Sequence, residues 1–303
     1  MGSTLARPGV LSKPFYTPSL GPTALRRLEK TSWVGCPAYL LEVIFFVHAR
    51  FCHSEAQQQQ STQQPPPPMV FASSFLPENS APLQSPEALL HHIQAFDPLA
   101  WAMHLQSHLH LPDLTMRIAL ATTYKAAVYL YTSRVLSRPR AGLAIASSWF
   151  GLPADHDAVA NLLIHQLSVI PAQDPHFKCL IWPTFIAGAE CRDSALRSRI
   201  LETLSTLYYA VATVNVRNAA WVLSLMWRKQ DLRREHKQQQ QQQQQQQASS
   251  SSSSSAAAAA SASAGSGSGL DLPLPLPVDS CHDCDDFDWI QELDESRIDW
   301  LFI

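Results

Sequence analysis

The chain has little of what most chemical functions require. Its ten glycines form no GxxxxGK[ST] loop and no GxGxxG turn, so no phosphate cradle of either kind is encoded. Gly265, Gly267 and Gly269 do cluster, but inside a Ser/Ala run rather than between a strand and a helix. There is no GxSxG elbow to present a serine nucleophile. No apolar core segment occurs between Met1 and Lys30, where a secretory leader would need one. The longest apolar run, Tyr39–Val47, contains Glu42 and falls far short of the ~20 residues that span a bilayer. Runs of alternating polarity never exceed a few residues, which leaves little for a sheet to be built from.

Charge is also scarce where a nucleic acid would need it. The net charge is -3, but it is unevenly placed. From Asp271 onward there are ten acidic residues and one basic residue, Arg297, leaving 21 basic and 15 acidic residues before it. A mildly positive body and a strongly acidic tail do not make the dense basic stripe of a DNA-gripping domain. The six cysteines, Cys36, Cys52, Cys179, Cys191, Cys281 and Cys284, are scattered. With no export signal read, they are expected to be reduced.

Two stretches of biased composition stand out. One, about 53–86, holds Gln57–Gln60 and Pro65–Pro68; the other, 232–278, holds Gln238–Gln247, a Ser/Ala/Gly run and a Leu-Pro alternation. Such compositions bury too little apolar surface to offset their ordering entropy, so both are read as disordered, as is 1–24. The helical domain is then expected over 25–231, with an acidic amphipathic helix at 279–303 docking on it.

What remains is periodic at three and four. Leu25–Arg50 reads as helical with a break at Gly35-Cys36-Pro37, and Ser85-Pro86 as an N-cap followed by proline at N1. Leu114–Leu136 carries Ile118, Ala121, Tyr124, Val128, Tyr131 and Val135 on one face, with Arg117, Lys125 and Arg134 outside. Pro153–Val169 follows, with Asp155 as cap and Val159, Leu162, Leu163, Gln166 and Leu167 as stripe. After Phe185–Glu190, Asp193 or Ser194 restarts a helix through Ile200, Leu204 and Leu207, with Arg197 outside. Asn215 is placed as cap of the last long helix, which carries Val216, Ala220, Leu223 and Trp227. The expected fold is all-α, one helical bundle-like domain with disordered low-complexity inserts.

Several groups invite a chemical reading. Cys281-His282-Asp283-Cys284 is a CxxC without a second ligand pair nearby. His104, His108 and His110 place two imidazoles on one helical face, but no glutamate adjoins the first as a base. Cys191 beside Arg192 could carry a lowered pKa, against the alternative of a thiol buried at a helix joint. Glu190, Cys191, Arg192 and Asp193 crowd together, and are assigned to capping and salt bridging before chemistry. The tail presents Trp289, Leu293, Trp300 and Leu301 on one side with carboxylates opposite and Arg297 interrupting. It suits either docking on the bundle or binding a partner's apolar groove. No catalytic residue, metal ligand or cofactor site is assigned.

Four stretches then carry a resemblance. Val34-Gly35-Cys36-Pro37 with Tyr39-Leu40-Leu41, the run Tyr124–Tyr131, Trp182-Pro183-Thr184-Phe185-Ile186-Ala187-Gly188-Ala189-Glu190, and Asn215-Val216-Arg217-Asn218-Ala219 leading to Trp227 are similar, in order, to segments of one family. That family is the fungal-specific transcription factor domain, the helical regulatory region of Zn2Cys6 binuclear-cluster regulators, in the group of the acriflavine sensitivity control protein. The resemblance implies a non-enzymatic nuclear regulator of RNA polymerase II transcription. Trp182, Pro183, Phe185, Gly188, Glu190, Tyr124, Asn215 and Trp227 would be its signature positions. The family's six-cysteine DNA-binding cluster has no counterpart here, since only Cys36 and Cys52 precede residue 179. Zinc is therefore expected only with a cluster domain upstream of Met1. Otherwise DNA would be reached indirectly, through coactivators, other transcription factors or a homo- or heterodimer.

Overall fold

The computed structural model of the chain describes residues 22–31, 35–48, 69–76, 81–109, 113–137, 152–258 and 288–290. Nine α-helices and no strand occur among them, in agreement with the all-α expectation. They are α1 (Pro22–Thr31), α2 (Ala38–Val47), α3 (Pro86–Ala95), α4 (Pro98–Leu109), α5 (Leu114–Ser137), α6 (His156–Gln166), α7 (Ile181–Glu190), α8 (Ser194–Val211) and α9 (Val214–Ala258). A 3₁₀ turn, Phe177–Leu180, leads into α7. The chain forms two compact units, Met1–Leu223 with Trp289–Ile303, and Ser224–Asp288.

The axis of the first unit is α5, against which α2, α3, α4, α6 and α7 all pack. It is buried nearly all round, Thr123, Thr132, Ser133 and Arg134 included. The one-sided stripe read from the sequence is thus corrected: Ile118 is only half-buried, and Arg134, placed outside by its charge, lies in the core. A helix packed on by five others has little solvent face on which to put its polar residues. It must satisfy them internally. Thr123 bonds back to the Ala119 carbonyl at 2.8 Å, and Arg117 pairs with Asp113 at 3.0 Å. Two rings bracket the same pattern: Tyr124 stacks on Trp182 and donates to the Cys179 carbonyl at 2.8 Å.

Helix starts follow local chemistry. The Ser85 hydroxyl accepts from the Ala88 amide at 3.1 Å, with Pro86 at N1, as expected of that triplet. Asp193 caps α8 through the Ala195 amide at 2.8 Å. Asp155 holds the N-cap position of α6 but makes no cap bond. Its carboxylate instead accepts from Tyr129 at 2.6 Å and Gln94 at 3.3 Å, tying α6 to α5 and α3. Asn215 is not the cap of α9; Thr213 is, accepting from the Asn215 amide at 3.4 Å.

Three further boundaries differ from the sequence reading. Pro22–Ala24 already belong to α1. Within the stretch taken as an insert over 53–86, Phe71 and Leu83 exchange backbone bonds at 2.8 Å, and Phe71 is buried. Glu42 holds this piece to α2 by accepting from the Ser73 hydroxyl at 2.7 Å, and Phe71 packs on Phe46 and His92. One buried phenylalanine with a carboxylate anchor outweighs the polar company. Finally, α9 continues through Gln238–Gln247 to Ala258, where a linker was expected from 232. Glutamine and alanine are both good helix formers, so low apolar content does not stop a helix already nucleated upstream. The rest of the 232–278 stretch, residues 259–278, lies outside the described residues.

In α6 the buried face is His156, Ala160, Leu163, Ile164 and Leu167, whereas Leu162 is exposed, one step round from the stripe expected. Arg197, expected outside α8, is buried as well.

Candidate functional site

All ten residues of α7 are buried, and the helix ends on a carboxylate. An apolar helix with Glu190 as its last residue must find that charge a partner or lose several kcal/mol to desolvation. The partner is Arg134 from α5, two turns beyond the middle of that helix. Its Nε donates to Glu190 Oε1 at 3.0 Å and its Nη2 to Oε2 at 2.5 Å, the bidentate fork geometry. His156, the first residue of α6, brings Nε2 to within 2.9 Å of Oε2. Trp289 from the C-terminal segment donates its indole N–H to Oε1 at 2.6 Å. Each oxygen of Glu190 thus receives two donors, and four elements meet on one carboxylate.

Burial alone would push the Glu190 carboxyl up, but the Arg134 charge and the His156 and Arg134 hydrogen bonds hold it at about 2. It is an anion in the folded protein. Since a carboxylate only accepts, His156 Nε2 must donate to it. Its Nδ1 lies 2.9 Å from Ser133 Oγ, and that hydroxyl is also 3.0 Å from the Leu130 carbonyl.

Ser133, His156 and Glu190 therefore line up in the order of a hydroxyl–imidazole–carboxylate relay. Relays of that kind activate a nucleophile only where substrate can reach it. Here Ser133 is 0% exposed, His156 2% and Glu190 6%. Moreover, Glu190 is fully engaged with a guanidinium, which withdraws the negative charge an imidazolium would need. The array is built to join helices. It resembles a sealed polar joint more than a reaction centre.

The neighbouring residues that looked catalytic part company. Cys191 is buried, its thiol pushed up by burial and directed at the Asp193 carbonyl, 3.3 Å away. Of the two readings of Cys191, the geometry fits the thiol buried at a helix joint. Arg192 turns outward to Asp157 at 3.2 Å, and Asp193 caps α8. Gly188 lies where α7 meets α8 and α9: a Cβ there would come 2.5 Å from Leu223 Cδ1 and 3.2 Å from Ile200 Cγ2. Phe185 meets the Trp289 ring edge-on at 6.0 Å. Trp182 adds an edge contact to Tyr131 at 5.9 Å, and Pro183 is buried in the first turn. Asn215 stands half-buried in the first turn of α9 and Trp227 is buried further along it.

Thus Phe185, Glu190 and Trp289 come together, and Tyr124 joins Trp182 beside them. Arg134, His156 and Ser133 were missed by sequence reasoning. A signal existed for one of them: His156, Ala160, Leu163 and Leu167 are spaced as a core face. Leu293, Trp300, Leu301 and the CxxC at 281–284 lie outside the described residues, as do His110 and the His108 side chain. Among the described residues no group of three His, Cys, Asp or Glu could hold a metal ion. No described helix is long and apolar enough to cross a membrane.

Comparison with known proteins then fits this helical body. The family described as fungal specific transcription factor domain matches residues 1–303, the whole chain. The chain belongs to this family. It is also 35% identical over 153 residues to the acriflavine sensitivity control protein acr-2 of Neurospora crassa, covering 48% of this chain and 24% of that protein. The chain thus spans about a quarter of the length of that relative. No solved structure matches it. Membership of a transcription factor family, which is not an enzyme family, agrees with a polar cluster spent on joining helices.

Proposed function

We propose that the chain is a non-enzymatic regulatory module of a fungal transcription factor, working in the nucleus through contacts with other proteins. The observation that carries this reading is the family match over the full 303 residues. The architecture supports it: the buried polar groups are used to hold α5, α6, α7 and the C-terminal Trp289 in one body. In this reading target DNA is reached through partner proteins or through a cluster domain outside residues 1–303, and the acidic C-terminal segment supplies the surface that coactivators engage.

The test is a fusion of residues 25–303 to a heterologous DNA-binding domain, scored on a reporter carrying that domain's sites. Altered reporter output is expected. Output equal to that of the DNA-binding domain alone, across inducing and non-inducing conditions, overturns the reading. A tagged copy evenly spread between cytoplasm and nucleus would remove the nuclear part.

A further inference from the structure

Trp289 is 0% exposed. Its surroundings are asymmetric. On the body side, Glu190 has three donors besides the indole: Arg134 Nε on Oε1, and Arg134 Nη2 and His156 Nε2 on Oε2. Removing the indole therefore leaves no unpaired buried charge. Phe185 likewise stays in α7, presenting the face that the Trp289 ring meets at 84°. The groups that form the seat thus all belong to α5, α6 and α7, and the polar ones are bonded to one another, an arrangement in which a single tryptophan can anchor a contact.

On the segment side, the sequence around Trp289 is acidic and aromatic: Asp283, Asp285, Asp286, Asp288, Glu292, Asp294 and Glu295 flank it. A segment with that charge would be repelled by a bare carboxylate. Here the carboxylate is neutralised by a guanidinium, and the indole N–H is the donor that completes it.

We propose that the seat formed by Phe185, Glu190, Arg134 and His156 is an exchangeable binding site for one tryptophan, occupied by the chain's own acidic C-terminal segment through Trp289. While Trp289 is seated, the acidic segment is held on the helical body; when it leaves, that segment becomes available to another protein. The transcriptional consequence rests on the regulatory reading above, but the exchange does not.

Covalent attachment gives Trp289 an effective concentration at its seat on the order of millimolar. A free peptide at micromolar concentration therefore cannot displace it, but can fill a seat left empty. The experiment titrates a labelled peptide of residues 279–303 onto two full-length chains, the natural one and Trp289→Ala, with fluorescence anisotropy as readout. The Trp289→Ala chain is expected to bind the peptide at least ten-fold more tightly than the natural chain. The same peptide carrying Trp289→Ala should bind neither. A full-length Trp289→Phe chain, which keeps a ring on Phe185 but lacks the N–H donor, should fall between the two.

Equal binding of both peptides would reduce the contact to general charge attraction and overturn the proposal. A Trp289→Ala chain that melts cooperatively and takes up no peptide overturns it too. So does a Trp289→Ala chain without a cooperative melt, because a seat that cannot stand empty is a core, not a binding site. Peptide exchange with a silent reporter fusion would uphold the seat and remove the transcriptional reading. An active fusion with no exchange does the reverse.

Discussion

Two imidazoles in the first unit are buried to similar degrees and solved by opposite chemistry. His156 is drawn against the Glu190–Arg134 pair, where a full negative charge is held in the core. His92, on α3, sits instead in a ring of aromatics: Tyr39 stacks on it at 4.4 Å and Phe71 meets it edge-on at 5.5 Å. The Tyr39 hydroxyl donates to the His92 carbonyl at 2.8 Å and lies 2.9 Å from Nδ1. Having one proton, that hydroxyl can accept from Nδ1–H, which leaves Nε2 as a bare nitrogen with no partner. Burial holds the His92 imidazole down at about 4. One end of the unit buries charge and must compensate it; the other buries a neutral ring and tolerates one idle nitrogen.

The largest expected effect breaks that comparison directly. Glu190→Ala or Arg134→Ala breaks a buried ion pair by removing one of its two charges, which costs about 3–5 kcal/mol. His92→Phe keeps the ring, keeps the Tyr39 bond to the carbonyl of residue 92 and removes the idle nitrogen. It should leave stability within about 1 kcal/mol of the natural chain. Urea denaturation midpoints with unchanged slopes would read both. A costly His92→Phe, or a mild Arg134→Ala, would erase the distinction between the two ends.

Acid sharpens it next. Glu190 is held at about 2, below its ordinary 4.5. Between those values the unfolded chain takes a proton that the folded one refuses, so stability present above pH 4.5 drains away as pH falls toward 2. The displacement is worth on the order of 3 kcal/mol. His92 is held at about 4 against an ordinary 6.5, in its case because burial disfavours the charged form. Its share is intact above pH 6.5 and is lost as pH falls to about 4. Stability against pH should therefore decline in two windows. His92→Phe should flatten the upper one and leave the lower untouched; a profile still sloping between pH 6.5 and 4.5 in that variant would assign the upper window elsewhere.

Both ends were partly legible in the sequence, and for different reasons. Helix positions came through because caps and apolar spacing are local: Ser85-Pro86, Asp193 and the run from Leu114 all describe where the chain turns and what it buries. The joint at Glu190 did not, because its partners come from sequence-distant helices and two of them looked like solvent residues. Arg134 was placed outside by its charge, and that rule holds only where a helix has an outside; from Ala126 to Leu136 α5 has none. Phe71 was hidden by the Gln/Pro stretch around it, since composition averages over the one residue that packs. The long extension of α9 was missed because disorder was judged by apolar content, while helix continuation depends on propensity and on a nucleus already formed.

Glycine substitutions come third, and they separate contact from conformation. Gly188→Ala, two residues before Glu190, would press on Leu223 Cδ1 at 2.5 Å, a methyl that can swing aside. Gly35 has φ +74°, and a Cβ there would meet Cys179 Cβ at 2.8 Å, an atom with little room to move. Gly35→Ala should thus lose about 1–3 kcal/mol through strain as well as contact. Gly188→Ala should lose less than that, with Leu223→Ala in the same chain restoring part of it. Equal losses that Leu223→Ala does not relieve would mean that α7 itself cannot shift.

The smallest expected effect tests whether the two ends share anything beyond α5. Ser85 caps the helix that carries His92, and Asp193 caps the helix packed against α7. Replacing either cap by alanine should cost about 1 kcal/mol. Ser85 is neutral, so its loss should be the same at pH 7 and pH 3. Asp193 accepts from the Ala195 amide at the positive end of α8. A double variant should show the sum of the single losses, because the caps start separate helices and share no partner. Thermal melts of the two single variants and the double one at both pH values would check this. A double-variant loss well above the sum would mean that the neutral and the charged ends are coupled through α5, and that the helix behaves as one lever rather than a wall.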